Sequence, residues 1–207
     1  MNSPPSRKLR IAAADDERDT RQFFEEILPH LGHEVVAVVS SGRELIERCR
    51  ATHPDLVIAD IKMPDMDGIQ AAAEINRERE VPFVLVSGHQ DPELLGRAEA
   101  DYVMAYLVKP VKPPDLAAAL ALARTRFMQY QQVRREAADL RQSLEERKLV
   151  ERAKGIVTRR MGLDEQEAFR RLRKLSSDRN LKLVDLARMV LNAEEVFADL
   201  EMVTFPR

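Results

Sequence analysis

Five polar side chains stand at the ends of apolar runs and could together accept a phosphoryl group. Asp15 and Asp16 follow LRIAAA, Asp60 ends LVIAD, Ser87 ends FVLVS, and Lys109 follows YVMAYLV. Three clustered carboxylates repel one another unless a cation lies among them, and Mg²⁺ prefers such oxygen ligands. An acid nucleophile with a metal, a hydroxyl and an ammonium has the groups needed to form an aspartyl phosphate. We therefore expect one phosphoryl-accepting site.

Each of these side chains also has an ordinary structural interpretation. Asp15 and Asp16 could cap a helix, Ser87 could form a loop, and Lys109 could be a solvated lysine. The segment MPDMDG could be merely a turn. Because four different strand ends supply complementary groups, the common site is the better interpretation.

The elements that must position these residues alternate regularly along the chain. Apolar runs that predict strands are LRIAA, EVVAVV, LVIAD, FVLVS and YVMAYLV, and helical patterns lie at about 18–30, 42–51, 68–79, 91–99 and 114–126. Parallel neighbours need crossover helices, so strict alternation predicts an α/β fold with a doubly wound, five-stranded parallel sheet. Ligands bind such sheets at the carboxyl ends of the strands, which is where the acids fall.

Composition limits the classes of protein that this chain could represent. The 207 residues are 44% hydrophobic, enough for two modules, and the net charge is only −2. The single cysteine, Cys49, excludes a disulfide framework or a cysteine zinc site and fits a reducing cytosol. Neither a secretion signal nor a run of about 18 apolar residues is present, so we expect a cytoplasmic protein without a membrane span.

A long helix with an apolar seam follows the predicted sheet. The seam comprises Leu116, Leu120, Ala123, Phe127, Tyr130, Val133, Ala137, Leu140 and Leu144. Up to Phe127 we expect the seam to pack on its own domain. Beyond that residue the flanks are too polar for a buried helix, which favours a two-stranded coiled coil and hence a homodimer.

Three further helices are predicted at the end of the chain. The first stops at Gly162, which can adopt the left-handed conformation, and Asp164 with Glu167 forms a capping-box-like start for the second. The third follows SSDRN, and Asn180 is expected to cap it. Three short amphipathic helices can bury one small core, so we expect an all-α three-helix bundle.

Basic side chains are concentrated in this bundle. Residues 146–182 carry 12 basic and 6 acidic side chains, although such a run is often only a solvated face. Gly155 lies within a helical pattern, where it costs about 1 kcal/mol relative to alanine and suggests close approach of another helix or a ligand backbone.

Residues 9 to about 124 resemble the receiver domain of two-component response regulators. The motifs are DDE, DIKMPDMDG, SG and YLVKP, each after a predicted strand. The resemblance implies a flavodoxin-like fold, phosphorylation of Asp60 by a sensor histidine kinase, and Mg²⁺ bound by Asp16 and Asp60. It further implies that Asp15 supports the ion through water and that the backbone carbonyl of Lys62 completes the protein ligands.

The same resemblance assigns the residues that respond to phosphorylation. Ser87 occupies the switch hydroxyl position, Tyr106 the switch aromatic position, and Lys109 the position of the family's phosphoryl-binding lysine. Lys62 and His89 flank the phosphoryl site, at positions that tune the lifetime of the phosphate in this family. Once Asp60 is phosphorylated, Ser87 should move towards the added group and the ring of Tyr106 should enter the vacated space.

The end of the chain resembles the ANTAR output domain of transcription antiterminators. The resemblance rests on VERAKGIV, RMGLDEQEAFRRLRK and LARMVL. It implies a bundle that binds paired RNA hairpins and prevents formation of a terminator. RNA loops suit the basic surface of this bundle, because unstacked bases can bond to Arg and Lys. The candidate RNA contacts are Lys154, Arg159, Arg160, Arg173 and Lys182. The expected domains are a receiver over 7–126, a coiled-coil linker helix over 127–146 and an ANTAR-type domain over 139–200.

Two other functions compete with an RNA-binding response regulator. A DNA-binding response regulator would use SSDRN as the turn of a helix-turn-helix, although the ANTAR-like pattern argues against it. A Mg²⁺-dependent phosphatase would use the acidic site on an external phosphoester. We see no additional acid–base group or substrate cap in the sequence, so no enzymatic turnover of an external substrate is expected.

Overall fold

The computed structural model describes residues 8–88 and 102–202. The strands and helices are β1 (Arg10–Ala14), α1 (Arg18–His30), β2 (Glu34–Val39), α2 (Gly42–Thr52), β3 (Leu56–Asp60), α3 (Gly68–Glu78), β4 (Phe83–Ser87), β5 (Val103–Val108), α4 (Pro113–Met161), α5 (Glu165–Asp178) and α6 (Leu183–Met202). The helix predicted at about 91–99 and the residue His89 lie outside the described residues. No helix within the described ranges is long and apolar enough to cross a membrane.

The five strands form one parallel sheet in the order β2-β1-β3-β4-β5. This arrangement confirms the predicted α/β fold. The central strands β3 and β4 are buried along their whole length, because helices cover both faces of the sheet. The register pairs Ala14 with Ala59, Asp60 with Val86, and Ser87 with Val108, so the polar ends of these strands reach the same edge.

Successive residues of the strands pack into two separate cores. Ala12, Val57 and their alternate neighbours pack into a core that includes residues of α2 and α3. Ile11 and Ile58 face the opposite core, with residues of α1 and the first turns of α4. The alternation follows from the two-residue period of a strand. Cys49 belongs to the first core and is 6% exposed.

The helix boundaries follow from specific capping residues. Ser41 and Asp67 each accept a hydrogen bond from the first turn of the helix that follows. Gly162 has a φ of 62° just after α4, as its sequence position predicts. Asp164 accepts a hydrogen bond of 2.8 Å from the backbone N–H of Glu167, which confirms the predicted start of α5. Asn180 also has a positive φ, but its N–H donates to the carbonyl of Ser177 at the end of α5.

Two predictions about the helices are therefore wrong. Asn180 does not cap the third helix of the bundle, which begins three residues later at Leu183. The first helix of the predicted bundle is also not separate, since α4 runs unbroken from Pro113 to Met161. The physical reason is that residues 127–154 contain neither glycine nor proline, so nothing in this stretch ends a helix.

The chain divides into two compact units between Gln132 and Val133. In the first unit, the early part of the α4 seam is buried against the sheet at Leu116, Leu120 and Ala123, while Phe127 and Tyr130 are partly buried. This agrees with the packing expected up to Phe127. In the second unit, the seam residues Val133, Leu140 and Leu144 are exposed.

The second unit has its own small core. Ala153 of α4, Leu172 of α5, and Leu186 and Ala187 of α6 form its buried centre. The three helical segments thus bury one apolar stripe each, as a bundle of amphipathic helices requires. The last helix continues to Met202, so the residues after Leu191 extend α6 beyond this core.

Candidate functional site

Three carboxylates meet where β1 and β3 end. Asp15, Asp16 and Asp60 each offer an oxygen, and these oxygens all lie within 4.8 Å of one another. Asp15 and Asp60 are buried, whereas Asp16 is exposed to solvent. The strands bring the acids together because β1 and β3 are direct neighbours in the sheet. Such a set of hard oxygen donors, partly open to water, suits Mg²⁺.

The ammonium of Lys109 contacts two of these carboxylates, Asp15 and Asp60, and that of Glu17. Its Nζ lies 2.7 Å from Asp60 Oδ2, 3.0 Å from Asp15 Oδ2 and 3.1 Å from Glu17 Oε2. Burial alone would lower the pKa of Lys109, but its hydrogen bonds to Asp60 and Asp15 outweigh burial and raise that pKa. The lysine is therefore charged and contributes one positive charge to the acidic edge.

One lysine does not compensate fully for these acids. Burial raises the pKa of Asp15 to about 6, although Lys109 and the Glu17 N–H act in the opposite direction. Burial also raises the pKa of Asp60, with a partial offset from its hydrogen bond to Lys109. Asp15 Oδ2 is buried and lies 3.0 Å from Lys109 Nζ, but it accepts no hydrogen bond from the described residues. A buried carboxylate oxygen that lacks a hydrogen bond beside two other acids fits a site for a divalent cation.

The backbone around the acids is held by further contacts. Arg21 Nη1 donates to the carbonyl oxygens of Asp15 and Asp16 at 2.8 and 2.7 Å. The backbone N–H of Lys62 donates to Asp60 Oδ1 at 3.3 Å. Gly68 begins α3 so close to the acceptor strand that a Cβ atom there would lie 2.1 Å from the Asp60 carbonyl oxygen.

Ser87 and Tyr106 occupy different environments near this edge. Ser87 is the last residue of β4 and is 8% exposed, and its carbonyl accepts a hydrogen bond from the backbone N–H of Lys109. Tyr106 lies on the edge strand β5 and is 37% exposed. The structure therefore places a small hydroxyl side chain at the acidic edge and a partly exposed aromatic ring on the neighbouring strand.

The predicted RNA contacts lie on different parts of the second unit. Lys154, Arg159 and Arg160 belong to α4, Arg173 to α5, and Lys182 to the turn before α6. Lys154 is engaged by acids, since its Nζ lies 2.6 Å from a Glu151 oxygen and 3.0 Å from a Glu165 oxygen. The guanidinium of Arg173 lies 6.0 Å from the ring centroid of Phe169.

Arg160 contacts the last helix. Its Nε lies 3.0 Å from Glu194 Oε2, and its guanidinium carbon lies 5.5 Å from the ring centroid of Phe197. A groove of about 520 Å³ between α4 and α6 is lined by residues that include Gly155, Arg159 and Glu194. A Cβ at Gly155 would meet only Arg159 Nη1, at 3.7 Å, so no other helix of the described chain requires this glycine.

Two residues of the acidic site are absent from the sequence-based prediction. Glu17 contacts Lys109, and Arg21 contacts two carbonyl oxygens of the acidic loop. The sequence gives only a weak indication of either role, since Glu17 directly follows the two aspartates and Arg21 lies one helical turn later.

Comparison with known proteins identifies both units. The family profile of the response regulator receiver domain matches residues 11–121, and that of the ANTAR domain matches residues 138–191. The transcriptional regulatory protein PdtaR of Mycobacterium tuberculosis is 40% identical over 182 residues, which cover 88% of this chain and 89% of that protein.

Solved structures match the first unit. A response regulator receiver domain protein from Clostridium thermocellum is 30% identical, with a TM-score of 0.53, over 57% of this chain and 96% of that chain. The REC domain of AraT, a response regulator from Geobacillus stearothermophilus, is 25% identical, with a TM-score of 0.54, over 59% of this chain and 98% of that chain.

Proposed function

The chain belongs to the response regulators that join a receiver domain to an ANTAR domain, and from this membership we propose that phosphorylation of Asp60 controls its binding to RNA. The observation that carries the proposal is the environment of Asp60. Its carboxylate lies 2.7 Å from a charged lysine, beside two further acids that offer oxygens within 4.8 Å. This arrangement combines a nucleophile, a cation and candidate ligands for a metal.

The phosphoryl donor is a histidine phosphate on a sensor kinase. An oxygen of Asp60 forms the new bond to phosphorus while the bond from phosphorus to the histidine nitrogen breaks, and the electron pair leaves with the histidine. Asp16, Asp60 and the backbone carbonyl of Lys62 would hold Mg²⁺ directly, with Asp15 supporting the ion through water, and the ion would supply positive charge for the phosphoryl oxygens. Lys109 donates a hydrogen bond to the same group.

The product is a changed surface rather than a released molecule. Phosphorylation replaces one negative charge on Asp60 by about two and adds acceptor oxygens. Ser87 then bonds to one of these oxygens, and Tyr106 leaves its exposed position for the space that Ser87 vacates. The surface around β5 is altered in this way, and no external substrate is turned over.

The output of this switch is RNA recognition by the ANTAR domain. We propose that Lys154, Arg159, Arg160, Arg173 and Lys182 contact paired hairpins in nascent RNA and so prevent a terminator from forming. The exposed seam residues Val133 and Leu140 support a coiled-coil homodimer, which would present two RNA-binding domains to two hairpins. Because the proposed target is nascent RNA, we propose that the protein acts in the cytoplasm.

Labelling with acetyl phosphate tests the phosphorylation step. The Asp60→Ala variant should lose all Mg²⁺-dependent labelling, whereas Asp65→Asn, a control in the exposed loop five residues later, should label like the wild type. Labelling of Asp60→Ala at the wild-type level would disprove the assignment. Turnover of a generic phosphoester by the wild type would instead support a phosphatase.

Salt-titrated binding tests the output. The phosphorylated protein should bind a double-hairpin RNA more tightly than duplex DNA of equal length at every salt concentration. Equal or tighter binding to the duplex would support a DNA-binding response regulator in its place. The comparison is informative because phosphate contacts contribute to both affinities, whereas unstacked loop bases are present only in the hairpins.

A further inference from the structure

Glu17 shares the lysine that contacts the phosphoacceptor. Its Oε2 lies 3.1 Å from Lys109 Nζ, which in turn lies 2.7 Å from Asp60 Oδ2. The side chain of Glu17 is 62% exposed, whereas that of Asp60 is 6% exposed. Lys109 therefore connects a buried acid, which is the proposed acceptor, with an acid at the surface of the same site.

The carboxylate of Glu17 is held in this position by a second contact. Thr20 Oγ1 donates to the same oxygen, Oε2, at 3.1 Å. Glu17 is also the N-cap residue of α1, yet its side chain accepts no capping hydrogen bond from that helix. As an exposed carboxylate, Glu17 carries a full negative charge at neutral pH.

We propose that Glu17 is a positioning residue that limits how strongly the receiver site holds a phosphoryl group. The proposal rests on phosphorylation of Asp60. Lys109 must donate to the phosphoryl oxygens, and Glu17 competes with them for this ammonium. In addition, the Glu17 charge lies within about 6 Å of the acceptor oxygen and repels the charge that phosphorylation adds.

The same charge has the opposite effect on a cation. Glu17 attracts Mg²⁺ towards the neighbouring carboxylates, so its removal should weaken the binding of the ion while strengthening the binding of the phosphoryl group. A residue that merely supports the local fold would change both affinities in the same direction. The two opposite shifts therefore distinguish a positioning role from a structural one.

The Glu17→Gln variant tests this inference in the full chain with beryllofluoride, which mimics a phosphoryl group. At saturating Mg²⁺, calorimetric titration should give an affinity for beryllofluoride about three- to tenfold above that of the wild type. In a separate titration without beryllofluoride, the affinity for Mg²⁺ should fall about two- to fivefold. Both shifts should diminish at high salt, because Glu17 is exposed.

Two further variants sharpen the test. Asp19→Asn makes the same change in net charge on the first turn of α1, at a residue that forms no ion pair with the described residues, and should leave both affinities within about 1.5-fold of the wild type. Thr20→Val releases the Glu17 carboxylate without removing its charge, so it should raise the affinity for beryllofluoride by less than Glu17→Gln does.

The outcomes separate this inference from the proposed function. An unchanged or lower beryllofluoride affinity in Glu17→Gln, or equal shifts in Asp19→Asn, would overturn the role of Glu17 alone. If the wild type binds no beryllofluoride and accepts no phosphoryl group, the phosphorylation of Asp60 is itself wrong, and the inference is rejected with it.

Discussion

Replacing Gly68 with alanine should displace the strand that carries the phosphoacceptor. The added Cβ would lie 2.1 Å from the carbonyl oxygen of Asp60, 3.0 Å from its carbonyl carbon and 3.3 Å from Ala59 Cβ. A backbone oxygen cannot rotate away as the end of a side chain can. Its strand is fixed between β1 and β4, and the N–H of Gly68 is bonded to the carbonyl of Ile61 at 3.0 Å. Either β3 or the start of α3 must therefore move by more than about 1 Å to restore an ordinary contact.

The expected cost is large for the addition of one methyl group. Overpacking a core costs about 1–3 kcal/mol when side chains can adjust, and here the clash is with the backbone of a central strand. We therefore expect the free energy of unfolding of the receiver to fall by about 3 kcal/mol or more, which is roughly 10 °C in its melting temperature. Calorimetry of the full chain measures this shift. Acetyl phosphate labelling of the same variant should fall at least about tenfold, since Asp60 would be misplaced.

Gly155→Ala provides the matched control. Its Cβ would make only one ordinary contact, with the flexible end of Arg159, and alanine is the better helix former. This variant should stabilise the ANTAR domain by about 0.5–1 kcal/mol and leave labelling unchanged. The steric argument would be refuted if Gly68→Ala melted at the temperature of the wild type, or if both substitutions lowered the free energy of unfolding equally.

Three further predictions concern pH, assembly and RNA. The pKa of Asp15 is about 6 in the folded protein against 3.8 in the unfolded chain. The free energy of unfolding of the metal-free protein should therefore fall by about 2–3 kcal/mol as the pH rises from about 4 to about 6. Melting curves at both pH values, with and without Mg²⁺, measure this loss. Because the pKa of Asp60 is raised as well, Asp15→Asn should reduce the loss, and a loss as large as that of the wild type would contradict the prediction. Leu140→Glu should abolish the dimer seen by analytical sedimentation, whereas Ser143→Glu should retain it. Equal effects of the two substitutions would show that the seam is not the dimer interface. Arg160→Ala should lower the affinity for hairpin RNA about fivefold and reduce the salt slope by about 1, whereas unchanged binding would remove Arg160 from the interface.

The sheet and the acidic edge could be predicted from sequence because both depend on local patterns. Apolar runs such as LVIAD have the length of strands, and a parallel sheet necessarily brings their carboxyl ends to one edge. The positions of Asp15 and Asp60 at this edge follow from that topology. The caps at Gly162 and Asp164 were equally predictable, since each depends on only a few neighbouring residues.

Contacts between residues distant in sequence, and the unbroken length of α4, were harder to predict. The seam of α4 was traced to Leu144, and a new apolar stripe that includes Ala153 begins after it, so the sequence pattern changes where the backbone continues unbroken. Glu17 was missed because Lys109 is 92 residues away in the chain. Arg21 was missed because it binds carbonyl oxygens, which no pattern of side chains reveals.

The burial of Cys49 has a practical consequence. Its thiol is the only one in the chain, is 6% exposed, and has a pKa raised to about 12 because burial disfavours the thiolate. The thiolate is the form that attacks reagents such as maleimides, so the folded wild type should be almost inert to them. A single cysteine introduced at an exposed position outside the seam, such as Ser143→Cys, would then be the one reactive site for a spin label or a fluorophore. Distances between the labels on two copies of the chain could thus be measured as Asp60 is phosphorylated, without first replacing the native cysteine.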